Sequence, residues 1–173
     1  GFLKEIPQLV LSGINHGPNL GDDVTYSGTV GAAIEGAVLG IPSAAFSLAG
    51  RGSDGLAGCL PFVRAIIGQM IEKPPAPRSY WNVNFPDLPA GGIQGIAITH
   101  IGHRVYKDTV VEKIDPRGKP YYWIGGDTPT SDLEEGSDFR AIHDKLVSLT
   151  PLHLDMTDEP AMAELKTREW TAR

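Results

Sequence analysis

Cysteine is nearly missing from this chain. With one, Cys59, among 173 residues, neither an internal disulfide nor a cysteine-based zinc site can form. Long apolar runs are missing as well. Charges, glycine or proline interrupt each candidate before the ~18–20 residues that a membrane-spanning helix requires. Positive charge is in deficit, with 15 Lys and Arg against 21 Asp and Glu, a net charge of −6. General electrostatic attraction to nucleic acid is therefore disfavoured, though a local basic site is not excluded. No basic stretch followed by an apolar one is visible near Gly1. The composition points to a reducing, cytoplasmic setting.

What is present suffices for a core. The chain is 41% hydrophobic and 21% charged, which argues against disorder, and its length suggests one domain spanning 1–173. Glycine (21) and proline (14) are too frequent for a helical bundle and imply many turns. Leu9-Val10-Leu11-Ser12 reads as a buried parallel strand, and Gly13 to Tyr26 as a long ordered loop. Val30, Ala33, Ile34, Ala37 and Val38 fall at helical spacing behind an N-cap at Ser27, and Gly40 with Pro42 stops that helix. Residues 42–47 read as the next strand, completing a strand–loop–helix–strand unit with parallel strands. A loop over 50–58 leads to a helix over 60–72. Pro61 would sit in its first turn, and Val63, Ile66, Ile67, Met70 and Ile71 would form its buried stripe. Strands follow at 81–85, 95–99 and 147–150, and a helix at 160–170. Residues 104–126 read as a long projecting hairpin turning at Asp115-Pro116-Arg117-Gly118. Its aromatic run Tyr121-Tyr122-Trp123 serves either an interface or packing against the parent domain. The fold class is α/β: a Rossmann-like parallel sheet with an extended β-hairpin arm and a C-terminal helical tail.

Chemistry concentrates between Gly13 and Gly36. Ligands of parallel α/β sheets bind beyond the carboxyl ends of the strands, and the loop after Leu11-Ser12 lies at such an end. It carries Asn15, His16, Asn19, Asp22 and Asp23 and runs into Ser27-Gly28-Thr29, where a helix begins. That turn offers unpaired N–H groups, two hydroxyls and a glycine that lets an anion approach, or it simply caps a helix. Asn15 is a neutral oxygen donor for a hard cation, or an ordinary turn residue. Asp22-Asp23 reads more readily as solvated acids or helix-dipole partners than as a cation site. The five histidines show no metal-ligand spacing, Cys59 reads as a buried helix residue, and no nucleophile–base arrangement is legible.

Ser12-Gly13-Ile14-Asn15-His16-Gly17-Pro18-Asn19-Leu20-Gly21, followed by Asp23-Val24 and by Tyr26-Ser27-Gly28-Thr29-Val30-Gly31-Ala32-Ala33-Ile34-Glu35-Gly36, resembles the signature of the SurE family of survival-protein 5′/3′-nucleotidases. Asn82-Val83-Asn84-Phe85-Pro86, the hairpin turn, the aromatic run and Val147-Ser148-Leu149-Thr150-Pro151-Leu152 continue the resemblance. It implies a metal-dependent acid phosphatase of nucleoside monophosphates, using Mg²⁺ or Mn²⁺, with polyphosphate as a further substrate of some members. It also implies a homodimer or homotetramer built through the hairpin and the C-terminal segment. Carried onto this sequence, Asn15 would be a metal ligand, and Ser27, Gly28 and Thr29 would hold phosphate. The family's Asn-Asp-Asp-Gly motif, which lies upstream of these residues and supplies two further ligands, does not occur here. The expectation is thus a chain holding the later part of such a nucleotidase, inactive by itself and exposing a sheet edge. The alternative is a non-catalytic phosphate-binding or oligomerisation module.

Overall fold

The computed structural model describes residues 4–50, 52, 55–89, 91–105, 108–126, 130, 131 and 133–171. Its central sheet contains β1 (Val10–His16), β2 (Ser43–Ala49), β3 (Ser79–Pro86), β9 (Leu146–His153) and β4 (Gly95–Ile98), side by side in that order. β1–β2, β2–β3 and β4–β9 pair parallel, whereas β9 runs antiparallel to β3. The sheet is therefore mostly rather than wholly parallel. The expected strand–helix–strand unit is present as β1, α1 (Gly28–Val38) and β2.

α1 begins where its cap was expected: Ser27 accepts the Val30 N–H through Oγ at 3.2 Å. It ends at Leu39, whose N–H reaches the Glu35 carbonyl, before Gly40 and Pro42. Gly36 is the reason α1 lies so close to the sheet. A Cβ there would stand 2.8 Å from both the Val10 and the Ser43 Cβ. Ser43, fully buried, uses its hydroxyl to donate to the Ala33 carbonyl at 2.7 Å.

α2 (Gly55–Glu72) starts earlier than expected, so Pro61 is an interior residue and the loop over 50–58 is shorter. Leu56 and Cys59 extend the apolar stripe backwards, and Gly58 packs so tightly on Leu88 and Pro89 that a side chain would overlap them. That packing outweighs the hydrogen bond Pro61 cannot make. By length and composition α2 also passes as a membrane span, with 18 residues of mean hydropathy 1.2, despite its interrupting charge and proline. In the fold its Cys59, Ile66 and Met70 join the core against the sheet, while Ile71, expected in the stripe, is exposed.

The hairpin consists of β6 (Asp108–Ile114) and β7 (Pro120–Gly126), paired antiparallel as a sheet of their own. It is shorter than expected, because β5 (Arg104–Val105) pairs instead with β8 (Thr130–Ser131). Asp115 stabilises the turn by accepting the Arg117 and Lys119 N–H groups, both at 2.8 Å. Tyr121, Tyr122 and Trp123 are exposed, so they do not pack on the described body of the chain. A short helix, α3 (Asp138–His143), has no counterpart in the sequence pattern. The last helix, α4 (Glu159–Leu165), is capped by Asp158 and stops well before Trp170. It buries no residue, so nothing but local propensity extends it.

Alternation divides the sheet into two unlike faces. Ala44, Phe46, Leu48, Val83, Phe85, Val147 and Leu149 face α2 and form the larger apolar core. The intervening residues of β2, β3 and β9 face α1 and α3. Below Ala45 and Tyr80 they include Ser47, Asn82, Asn84, Ser148 and Thr150, all buried.

Candidate active site at the carboxyl end of the first strands

A bulge brings Asn15 onto the polar face. Ser12 pairs with Ala45 and Asn15 with Ser47, so three steps along β1 match two along β2. Without the extra residue Ile14 would stand beside Ser47 and Asn15 would point toward α2. Gly13 makes the bulge possible. Its φ is +118°, and a Cβ would overlap the Phe46 carbonyl oxygen; the Gly13–Ile14 peptide bond is cis. Ile14 accordingly packs toward the apolar core.

Asn15 is half-buried and donates through Nδ2 to the Gly17 carbonyl at 2.9 Å. This bond fixes the amide plane and leaves Oδ1 on the side away from Gly17. His16 follows, exposed, at the end of β1. The chain then crosses the ends of β2 and β3, forms a 3-10 helix over Gly21–Tyr26, and enters α1 at Ser27. Asp22 and Asp23 lie in the first turn of that 3-10 helix.

Of the residues expected at a phosphate site, Ser27 and Thr29 are half-buried and Gly28 is exposed. Apart from its chain neighbours and its own helix, nothing lies within 4 Å of where a Gly28 Cβ would stand, so that side of the first turn is open. The first turn of α1 carries no acidic residue, leaving its positive dipole end uncompensated by its own side chains. Since α1 runs back along the sheet, its first turn and Asn15 belong to the same edge: Gly36 lies over Val10 and Ser43 at the other end.

Beyond Asn19, which the sequence already places in the polar loop, the structure adds several polar residues at this edge. Asn19 is buried and donates through Nδ2 to Ser47 Oγ at 2.5 Å. Its backbone is held by Asn84 and Asn82. Thr99 bridges Ser148 and Thr150 at 2.8 and 2.7 Å. Asp138, fully buried, accepts the N–H groups of Gly21, Gly102 and Phe139. Burial pushes its carboxyl above the ordinary range, against the opposing pull of those N–H donors. The signal that could have found this layer is polar residues at every second position of strands otherwise apolar enough to be buried.

Among the described residues no three His, Cys, Asp or Glu gather into a group able to hold a metal. Asn15 offers one neutral oxygen, and a hard cation needs carboxylates beside it. The donor set of these residues therefore does not fit a complete divalent-cation site. His100 faces Glu134 at 3.8 Å and His143 faces Asp144 at 2.9 Å, both near the surface.

Comparison with known proteins agrees with this architecture. A family model described as "Survival protein SurE" matches residues 1–108. The chain is 44% identical over 172 residues to a 5′-nucleotidase SurE from Pseudoalteromonas atlantica, covering 99% of this chain and 68% of the relative. It is 47% identical to a 5′-nucleotidase SurE from Aquifex aeolicus, covering 94% of this chain and 65% of that one. The crystal structure of the SurE protein from Aquifex aeolicus superposes with a TM-score of 0.81 at 44% identity, over 94% of this chain and 66% of that one. The chain thus spans about two thirds of the length of the relatives it matches. With more than half of its residues inside the family model and this identity across nearly all of them, the chain belongs to the SurE family.

Proposed function

We propose that the intact protein is a phosphomonoesterase that hydrolyses nucleoside 5′- and 3′-monophosphates to nucleoside and phosphate. It uses Mg²⁺ or Mn²⁺, and polyphosphate is a further substrate. The relatives at 44–47% identity are named 5′-nucleotidases, which supports the substrate class. The observation that carries the reading at residue level is the β1 bulge, which turns Asn15 onto the face and edge where α1 begins.

In this reading Ser27, Thr29 and the N–H groups around Gly28 hold the non-bridging phosphoryl oxygens. Charge that develops on those oxygens is met by groups already oriented. Asn15 would contribute one amide oxygen to a divalent ion, which would supply Lewis acidity. The exposed Tyr121, Tyr122 and Trp123 on the hairpin support assembly into a homodimer or homotetramer.

The test is hydrolysis of nucleoside 5′- and 3′-monophosphates by the intact protein, with Mn²⁺ or Mg²⁺ titrated. Asn15→Ala should lower turnover at limiting Mn²⁺ by about tenfold or more, with partial recovery at high Mn²⁺, as expected when one ligand of several is lost. Full activity with unchanged metal dependence in that variant contradicts the role of Asn15. The incomplete donor set among the described residues favours a second reading for the 173-residue chain alone, a non-catalytic phosphate-binding or oligomerisation module. That chain should show no metal-dependent turnover, and robust hydrolysis by it would refute this second reading.

A further inference from the structure

Asn15 and the Ser27 turn are joined by one strap, residues 16–26, and buried side chains fasten that strap at two separate points. The first is Asn19. Asn84 treats its backbone as a neighbouring strand would: Oδ1 accepts the Asn19 N–H at 2.8 Å, and Nδ2 donates to the Asn19 carbonyl at 3.0 Å. Asn82 Nδ2 donates to the same carbonyl at 2.8 Å. The second point is Gly21, whose N–H donates to Asp138 Oδ2 at 2.8 Å. The other oxygen of Asp138 accepts from Gly102 at 3.0 Å and from Phe139 at 2.8 Å. One carboxylate thereby ties the strap to the loop after β4 and to the start of α3.

Asn82, Asn84 and Asp138 have no exposed surface. Burying three such groups costs desolvation free energy that an apolar residue of similar volume would not incur. The Asn82 Oδ1 even lacks a partner among the described residues. Neither anchor adds apolar burial. What both supply is a fixed height and direction for a backbone that has little apolar packing of its own. Leu20 and Val24 are its only buried apolar side chains among the described residues.

We propose that Asp138 and Asn84 are positioning residues of the site: they hold the strap so that Asn15 and the Ser27–Thr29 turn keep one fixed relation. The functional half of this inference rests on the phosphate reading of that turn; the structural half does not. Neither residue touches the reacting atoms, so both act through the strap.

The experiment is amide hydrogen exchange by NMR on the protein and on Asp138→Asn, which sets an NH₂ group against N–H groups that now meet an acceptor. The amides of Gly21 and Val30 should exchange about tenfold faster, while those of Phe46 and Val83 in the sheet keep their rates. Inorganic phosphate, followed by the shifts of the Gly28 and Thr29 amides, should bind about tenfold more weakly to the variant. In the intact protein the loss should fall on kcat as well as KM, a split that mere loss of folded protein would not give. If Asp138→Asn fails to fold, Ser47→Ala removes the acceptor of the Asn19 amide at little steric cost. It should move the same amides in the same direction by less. Unchanged exchange at Val30, or sheet amides speeding up in step with it, overturns the proposal. No phosphate-dependent shift in the parent protein sinks the phosphate reading of the turn, and exchange still decides the positioning.

Discussion

The two faces of one sheet do different work, although the same strands build both. Toward α2, β2 presents Ala44, Phe46 and Leu48 and β3 presents Val83 and Phe85, and the Phe46 and Phe85 rings stack at 6.1 Å. Toward α1 and α3, the alternate positions present Ser47, Asn82 and Asn84. The apolar face supplies stability through area removed from water and through close packing. The face toward α1 carries a smaller apolar cluster around Val30, Ala33 and Tyr80, and the buried amides of Asn82 and Asn84 on it end on the loop that joins Asn15 to Ser27. A buried polar layer is better understood here as a device for fixing a backbone than as a source of stability.

Substitutions on each face should break or sharpen that contrast. Phe85→Ala on the apolar face should have the largest effect on folding, a loss of about 3–5 kcal/mol in denaturant unfolding, for it empties a fully buried aromatic site. The strap amides of the folded fraction should exchange as in the parent. Selective loosening of the strap in Phe85→Ala would dissolve the distinction. Gly13→Ala should come next. A side chain at φ +118° against the Phe46 carbonyl costs roughly 2–4 kcal/mol in strain and displacement. Unlike Phe85→Ala, it should also abolish the role of Asn15, because removal of the bulge returns Asn15 to the opposite face. A stable, fully active Gly13→Ala protein would show that the bulge does not place Asn15.

The smallest effect concerns Cys59 under the apolar face. Burial, with Asp87 nearby, raises its thiol from 9.0 to about 11. Between those values the unfolded thiol ionises and the folded one keeps its proton, so stability falls modestly as pH rises through that window. Near neutral pH the thiol should resist alkylation until the protein unfolds. Rapid labelling of the native protein would place Cys59 outside the sealed core.

The legibility of these features in the sequence follows the range of the interactions behind them. The Ser27 cap, the stop at Gly40 and the turn at Asp115 depend on neighbours within a few residues, and they lie where the sequence pattern puts them. The start of α2 departs from the sequence pattern because Gly58 against Leu88 is a contact between distant segments, and no local pattern announces it. α3 is silent in the sequence for a similar reason: its N-cap Ser137 and Asp138 are buried against β9, β3 and the strap. Asn15 was identifiable as a donor, but the bulge that decides which face it serves appears only in the register with β2. Asn82 and Asn84 were visible as alternate positions of a strand, and their partner Asn19 lies more than sixty residues away.

A crystal structure of the protein soaked with inorganic phosphate tests the central claim most directly. The account predicts phosphate against the Ser27–Thr29 turn, accepting N–H groups of the first turn of α1, with Asn15 Oδ1 facing the same cavity. Phosphate seated elsewhere, or an Asn15 amide turned away from a phosphate bound at that turn, would contradict it.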